Sequence, residues 1–145
     1  MTDAAASHIL YEIREGIGIV TLNRPAQRNA LTFEMYARLA EICRTIPDDG
    51  SVRALIITGA GDKAFAAGTD ISLFRDFTSP EQGIAYEAKA DAHFTAIEAC
   101  PVPTIAAMTG ACTGGGAGIA VCCDLRLASA DLKYGFPIAR TLGNC

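Results

Sequence analysis

The sequence predicts an α/β fold in which helices pack against buried strands. Three observations carry this reading. Short runs rich in β-branched and apolar residues recur along the chain. Helical segments alternate with them, and two glycine-rich segments each follow such a run. Of the 145 residues, 50% are apolar and 19% charged, the balance of a globular chain with a real core. No repeat, low-complexity tract or internal linker interrupts it, so residues 1–145 are expected to form one domain.

Taken in order, His8 to Arg14 and Ile17 to Leu22 flank Glu15-Gly16 and predict a hairpin. Asn23-Arg24-Pro25 breaks the second strand. Thr32 is placed to cap a helix carrying Tyr36, Leu39, Cys43 and Ile46 on one face, ended by Pro47 and Gly50. Val52 to Thr58 is a near-continuous apolar run, as expected for a strand covered on both faces. A long loop through Gly59, Gly61 and Gly68 follows, with Asp70 positioned to cap a short helix from Ile71 to Arg75. Ser79-Pro80-Glu81-Gln82 reads as a capping box that opens a helix to about Cys100. Thr104 to Met108 predicts a third buried strand. Gly110 to Gly118 predicts a glycine-rich turn, and Ile119 to Cys123 a helix. Leu125 to Ala128 and Lys133 to Gly135 predict short terminal strands. In such alternating folds ligands bind where loops leave the carboxyl ends of strands, and both glycine segments lie there.

Composition excludes several function classes. The net charge of −4 argues against a general nucleic-acid binder. No apolar run reaches the ~18 residues of a membrane span, and Met1 to Ser7 lacks the pattern of a signal peptide, so a cytoplasmic protein is expected. Cys43, Cys100, Cys112, Cys122, Cys123 and Cys145 include no C-x-x-C pair and read as reduced, buried thiols. His8 and His93 have no neighbours at ligand spacing, so no metal site is expected.

The segment Thr109 to Gly118 carries Gly110, Gly114, Gly115, Gly116 and Gly118. It has no lysine for a phosphate-binding P-loop and does not match G-x-G-x-x-G, and the chain contains no G-x-S-x-G elbow. Three glycines entering a helix let backbone approach a ligand and leave N–H groups at the positive end of the dipole, where an oxyanion is a natural guest. They also suit a tight turn that packs helix on sheet, and the segment alone leaves both readings open. Lys63 to Ile71 offers a second small-residue stretch after a buried strand.

Together these segments resemble the crotonase (enoyl-CoA hydratase/isomerase) family. The resemblance rests on Asn23-Arg24-Pro25-x-x-x-Asn29-Ala30-Leu31, on Leu55 to Gly59 followed by Phe65 to Ile71, on Pro103 to Ala107 with Gly110 and Gly114-Gly115-Gly116, and on Cys123 to Ala128. It implies a crotonase-like spiral of ββα units, truncated before the C-terminal helical region. It implies an acyl-CoA substrate with no separate cofactor, in fatty-acid or related acyl-CoA metabolism. Complete members are expected to form homotrimers or hexamers. The resemblance places the thioester oxygen between the backbone N–H groups of Thr69 and Gly115. It places the CoA along Arg24, Arg28 and Ala30 and along Ala67, Gly68, Asp70, Ile71 and Ser72, with Gly114, Gly118 and Ile138 nearby. Arg24 and Arg28 become candidate phosphate partners.

The chain departs from that pattern where the hydratases carry two glutamates. Gly118 stands at the first position and Ile138 at the second. Neither moves a proton, and a placed acid or base contributes typically 10²–10⁴-fold. Asp91, His93 and Asp131 are the remaining acid/base candidates. A non-catalytic acyl-CoA binder or degenerate member is therefore the rival expectation to an enzyme.

Overall fold

The computed structural model describes residues 7–138 and 140. Strands β1 (Ile9–Arg14) and β2 (Ile17–Leu22) form the expected antiparallel hairpin. Helix α1 (Phe33–Arg44) follows, and the Thr32 hydroxyl accepts from the Met35 N–H at its start. Its buried face carries Met35, Tyr36, Leu39, Ala40, Ile42 and Cys43. Ile46 is buried just beyond the helix end.

Strand β3 (Ala54–Gly59) leads into β4 (Ala64–Ala66), a 3-10 turn at Ile71–Phe74, and helix α2 (Pro80–Glu98). The Gln82 side chain accepts from the Ser79 N–H, which completes the predicted capping box. Then come β5 (Thr104–Met108), β6 (Ala111–Thr113), α3 (Gly115–Cys122), β7 (Leu125–Ala128) and β8 (Lys133–Gly135).

The strands divide into two sheets. One runs β1-β2-β3-β5-β7 and the other β4-β6-β8, and every pair beyond the hairpin is parallel. From β3 onward each turn of the chain therefore lays one strand in the larger sheet, one in the smaller, then a helix. This is the spiral of ββα units that the motifs imply. The core between the sheets and helices is made by Leu22, Leu31, Leu55, Ile57, Phe65, Ile97 and Ile119, all fully buried. At the larger sheet's outer edge, β7 leaves Leu125 and Leu127 exposed.

Two elements correct the sequence reading. The expected loop through Gly61 and Gly68 contains β4, and the expected turn from Gly110 to Gly118 contains β6 and the first residues of α3. The helix starts at Gly115 rather than Ile119 because Gly116 lets its first turn rest on Ala66. A side chain at 116 would collide with the Ala66 carbonyl.

Asn29 ties the first crossover to this frame. It is fully buried in the left-handed region at φ 56°. Its side chain donates to the carbonyls of Ala60 (3.0 Å) and Ala64 (2.8 Å) and accepts from the Arg24 N–H (2.9 Å). Asn29→Ala removes all three bonds and leaves buried carbonyls unsatisfied, so it should cost roughly 2–4 kcal/mol. A denaturant melt checks this, and a loss below about 1 kcal/mol would assign the anchoring elsewhere.

Candidate functional site

Leu31 forms a parallel bridge with Thr69. The Leu31 N–H donates to the Gly68 carbonyl (2.8 Å), and the Asp70 N–H donates to the Leu31 carbonyl (2.9 Å). In a parallel bridge the residues flanking the central one bond the partner, while the central residue's own N–H points the other way. Thr69 is that central residue. Its N–H has no acceptor among the described residues.

Gly115 presents the second such group. It is the first residue of α3, and its predecessor Gly114 (φ 53°) supplies no side-chain cap. The Gly114 N–H is used by the Gly135 carbonyl (3.1 Å), but no described residue accepts from the Gly115 N–H. First-turn N–H groups of a helix are left over by geometry and carry its positive end. The two loops lie against each other: a side chain atom on Gly114 would stand 3.6 Å from the Gly68 Cα.

Between them opens a cleft of about 430 Å³ lined by Ala67, Gly68, Thr69, Ile71, Phe74, Tyr86, Thr113, Gly114, Gly115, Pro137 and Ile138. Seven of the predicted site residues thus share one cavity: Ala67, Gly68, Thr69, Ile71, Gly114, Gly115 and Ile138. Ile71 is 68% exposed at its rim. A second recess of about 280 Å³ adjoins it through Tyr86, walled by Phe33, Tyr36, Phe77 and His93.

The remaining candidates fall outside the cleft. Arg24 is a strut between two segments of the chain. Its guanidinium bonds the Ala30 carbonyl (2.6 Å) and bridges to Asp70 (3.2 Å), with 14% of the side chain exposed. Arg28 is exposed and lines a small pocket with Lys63 on the other side of Asn29. The Ser72 hydroxyl and N–H both bond Asp70. Gly118 faces Phe94, and a Cβ there would lie 3.0 Å from that ring. Asp91 and Asp131 do not line the cleft, and Asp131 accepts from the Ser129 hydroxyl. His93 lies in the adjoining recess, stacked on Tyr36 at 6.3 Å. Burial first, then Arg44 and Lys89, holds its pKa below the ordinary 6.5.

The enzyme-family model for enoyl-CoA hydratase/isomerase matches residues 12–143. The chain belongs to the enoyl-CoA hydratase/isomerase family. It is 37% identical to a crotonyl-CoA hydratase from Syntrophomonas wolfei over 92% of this chain and 51% of that protein. It is 35% identical to a short-chain-enoyl-CoA hydratase from Clostridium acetobutylicum over 90% of this chain and 50% of the relative. Among solved structures, an enoyl-CoA hydratase/carnithine racemase from Magnetospirillum magneticum superposes with a TM-score of 0.86 at 42% identity, covering 92% of this chain and 50% of that one. The chain spans about half the length of the curated relatives it matches.

Tyr36 and Tyr86 enter the site unannounced by sequence. Tyr36 reads as a core position at helical spacing, and only a buried phenol's need for a partner marks it.

Asp70 gives this region a pH dependence. The Ser72 hydroxyl first, then the Ser72 N–H and Arg24, hold its pKa below the ordinary 3.8 against the opposing effect of burial. A depressed carboxylate stabilises the fold above its unfolded pKa, and that contribution disappears as pH falls through the folded value. Wild type should therefore melt above Asp70→Asn at pH 7, with the gap closing below about pH 3.8. Melting curves across that range check it, and a constant gap would rule out the carboxylate's charge as the cause.

Proposed function

We propose that this chain binds CoA thioesters and polarises the thioester carbonyl between the Thr69 and Gly115 N–H groups, in an enzyme of fatty-acid or related acyl-CoA metabolism. The observation that carries this reading is that Thr69 and Gly115, whose N–H groups have no acceptor among the described residues, line one cleft. Negative charge gathering on the thioester oxygen during enolate formation is stabilised most by donors fixed before the reaction begins. Here one donor is fixed by the Leu31–Thr69 bridge and the other by the start of α3. In this reading the acyl group extends past Tyr86 toward the aromatic recess, Arg28 meets the CoA phosphates, and no separate cofactor takes part.

Gly118 and Ile138 favour a second reading, a CoA-thioester binder with little or no turnover. No carboxylate lines the cleft among the described residues, and Phe94 packs where a side chain on residue 118 would begin. The two readings share the binding step and differ in proton transfer.

Calorimetric titration of the full-length protein with acyl-CoAs of several chain lengths should give saturable binding. Folded protein that gives no heat with any of them would overturn both readings. Hydration of crotonyl-CoA, followed by loss of the enoyl thioester absorbance, should be far below the ~10 s⁻¹ typical of enzymes. Hydration near that rate would show that another group transfers the proton.

The donor assignment has its own test. Gly115→Pro deletes the N–H, whereas side-chain changes leave it in place. For whatever acyl-CoA reaction the protein catalyses, the loss should be roughly 10²–10³-fold in rate. Folded Gly115→Pro protein with unchanged turnover would remove Gly115 from the site.

A further inference from the structure

The further inference rests on the reading of the cleft given above and concerns two hydroxyls behind it. Tyr36 is carried by α1, outside both donor-bearing loops, and is only 4% exposed. Its phenolic oxygen lies 2.8 Å from the Thr69 hydroxyl. The same oxygen presses on Gly115: a Cβ at 115 would collide with it and would stand 3.0 Å from the Thr69 hydroxyl. The two hydroxyls therefore sit at the point where the Thr69 and Gly115 segments meet. The ring is held there by Phe94, edge-on at 5.8 Å, and by stacking on His93.

Counting protons shows what the pair can offer. Two hydroxyls bring two O–H groups, and their mutual bond uses one. No other acceptor for either hydroxyl exists among the described residues. Burial raises the Tyr36 pKa well above its ordinary value, so the phenol keeps its proton and does not act as a base. When Tyr36 donates to Thr69, the Thr69 O–H is left over, on a residue that lines the cleft.

We propose that Thr69 supplies a side-chain O–H donor to the thioester oxygen, beside the two backbone N–H groups, and that Tyr36 is the positioning residue that aims it. Tyr36 also explains why residue 115 must be glycine, independently of any need for close approach by substrate.

The test uses the full-length protein and butanoyl-CoA labelled with ¹³C at the thioester carbonyl, with circular dichroism to confirm folding. Bound to wild type, the carbonyl stretch should move to lower frequency than in solution. Thr69→Val keeps the N–H and the shape but lacks the hydroxyl. It should reverse part of that shift and weaken binding about 5-fold, the scale of one hydrogen bond. Thr69→Ser should retain both. Tyr36→Phe should fall between, and Tyr36→Phe combined with Thr69→Val should be no worse than Thr69→Val alone. If Thr69→Val does not fold, Thr69→Ala carries the same expectation. A purely structural role lowers thermal stability and leaves the carbonyl frequency of bound ligand untouched. An unchanged frequency in both single variants, or additive losses in the double variant, would overturn this inference alone. Folded wild type that binds no acyl-CoA would overturn it together with the reading of the cleft.

Discussion

The parallel bridge between Leu31 and Thr69 is the constraint on which the rest of the site depends. It bonds the groups on either side of Thr69 and, by the alternation of an extended chain, sends the Thr69 N–H in the opposite direction. A shift of one residue would turn that N–H into the bridge and aim a different one at the cleft. Several interactions guard the register. Asn29 holds the chain entering the bridge through Ala60 and Ala64. Arg24 spans it, bonding the Ala30 carbonyl on one side and Asp70 on the other. The Ala67 N–H donates to the Arg28 carbonyl one step earlier. The motif from Asn23 to Leu31 thus does its work as a brace for the loop from Ala66 to Ser72, forty residues away in the chain.

This brace also shows what could be read before the fold was known. The hairpin, α1, β3, α2 and β5 were legible because each is long enough to display its period or its cap: Thr32 and Ser79 mark helix starts by chemistry alone. Strands β4 and β6 were not, because both lie in small-residue stretches that read equally well as turns. Thr69 and Gly115 enter only through what the ordered motifs imply, since a backbone N–H without an acceptor among the described residues leaves no mark in its own side chain. Arg24 carries a related ambiguity. A guanidinium suits a phosphate and a partly exposed carboxylate alike, and its pairing with Asp70 across the bridge is a tertiary fact. Tyr36 carried little signal, because helical spacing assigns it to the core and its hydroxyl finds its partner only once Thr69 and Gly115 arrive beside it.

In the proposed reading both donors belong to the backbone, and such a site is largely independent of side-chain identity. Its geometry is set by strand register and by the start of a helix, so side chains around it can change without moving the donors. Gly118 and Ile138 illustrate the point. Whatever proton-transfer groups the hydratase pattern places there are gone, and at Gly118 the neighbouring space is taken by Phe94. Phe94 in turn packs edge-on against Tyr36, and Tyr36 bonds Thr69. The absence of a side chain at 118 is therefore coupled by direct contact to the hydroxyl pair behind the cleft.

That coupling gives the departure from the two-glutamate pattern a physical shape. A side chain at residue 118 would press on the Phe94 ring, and that ring packs against Tyr36. Tyr36 could not shift without loosening Thr69 or opening the contact that excludes a side chain from residue 115. Cores transmit such changes because they are packed as densely as crystals, so one substitution is felt by its neighbours in turn. Gly118 and the Tyr36–Thr69 hydroxyl pair are in this chain parts of one packed unit, α1 against α2 against α3. A side chain introduced at Gly118 meets the Phe94 ring first, so the fold's tolerance for it is set by an aromatic ring on α2.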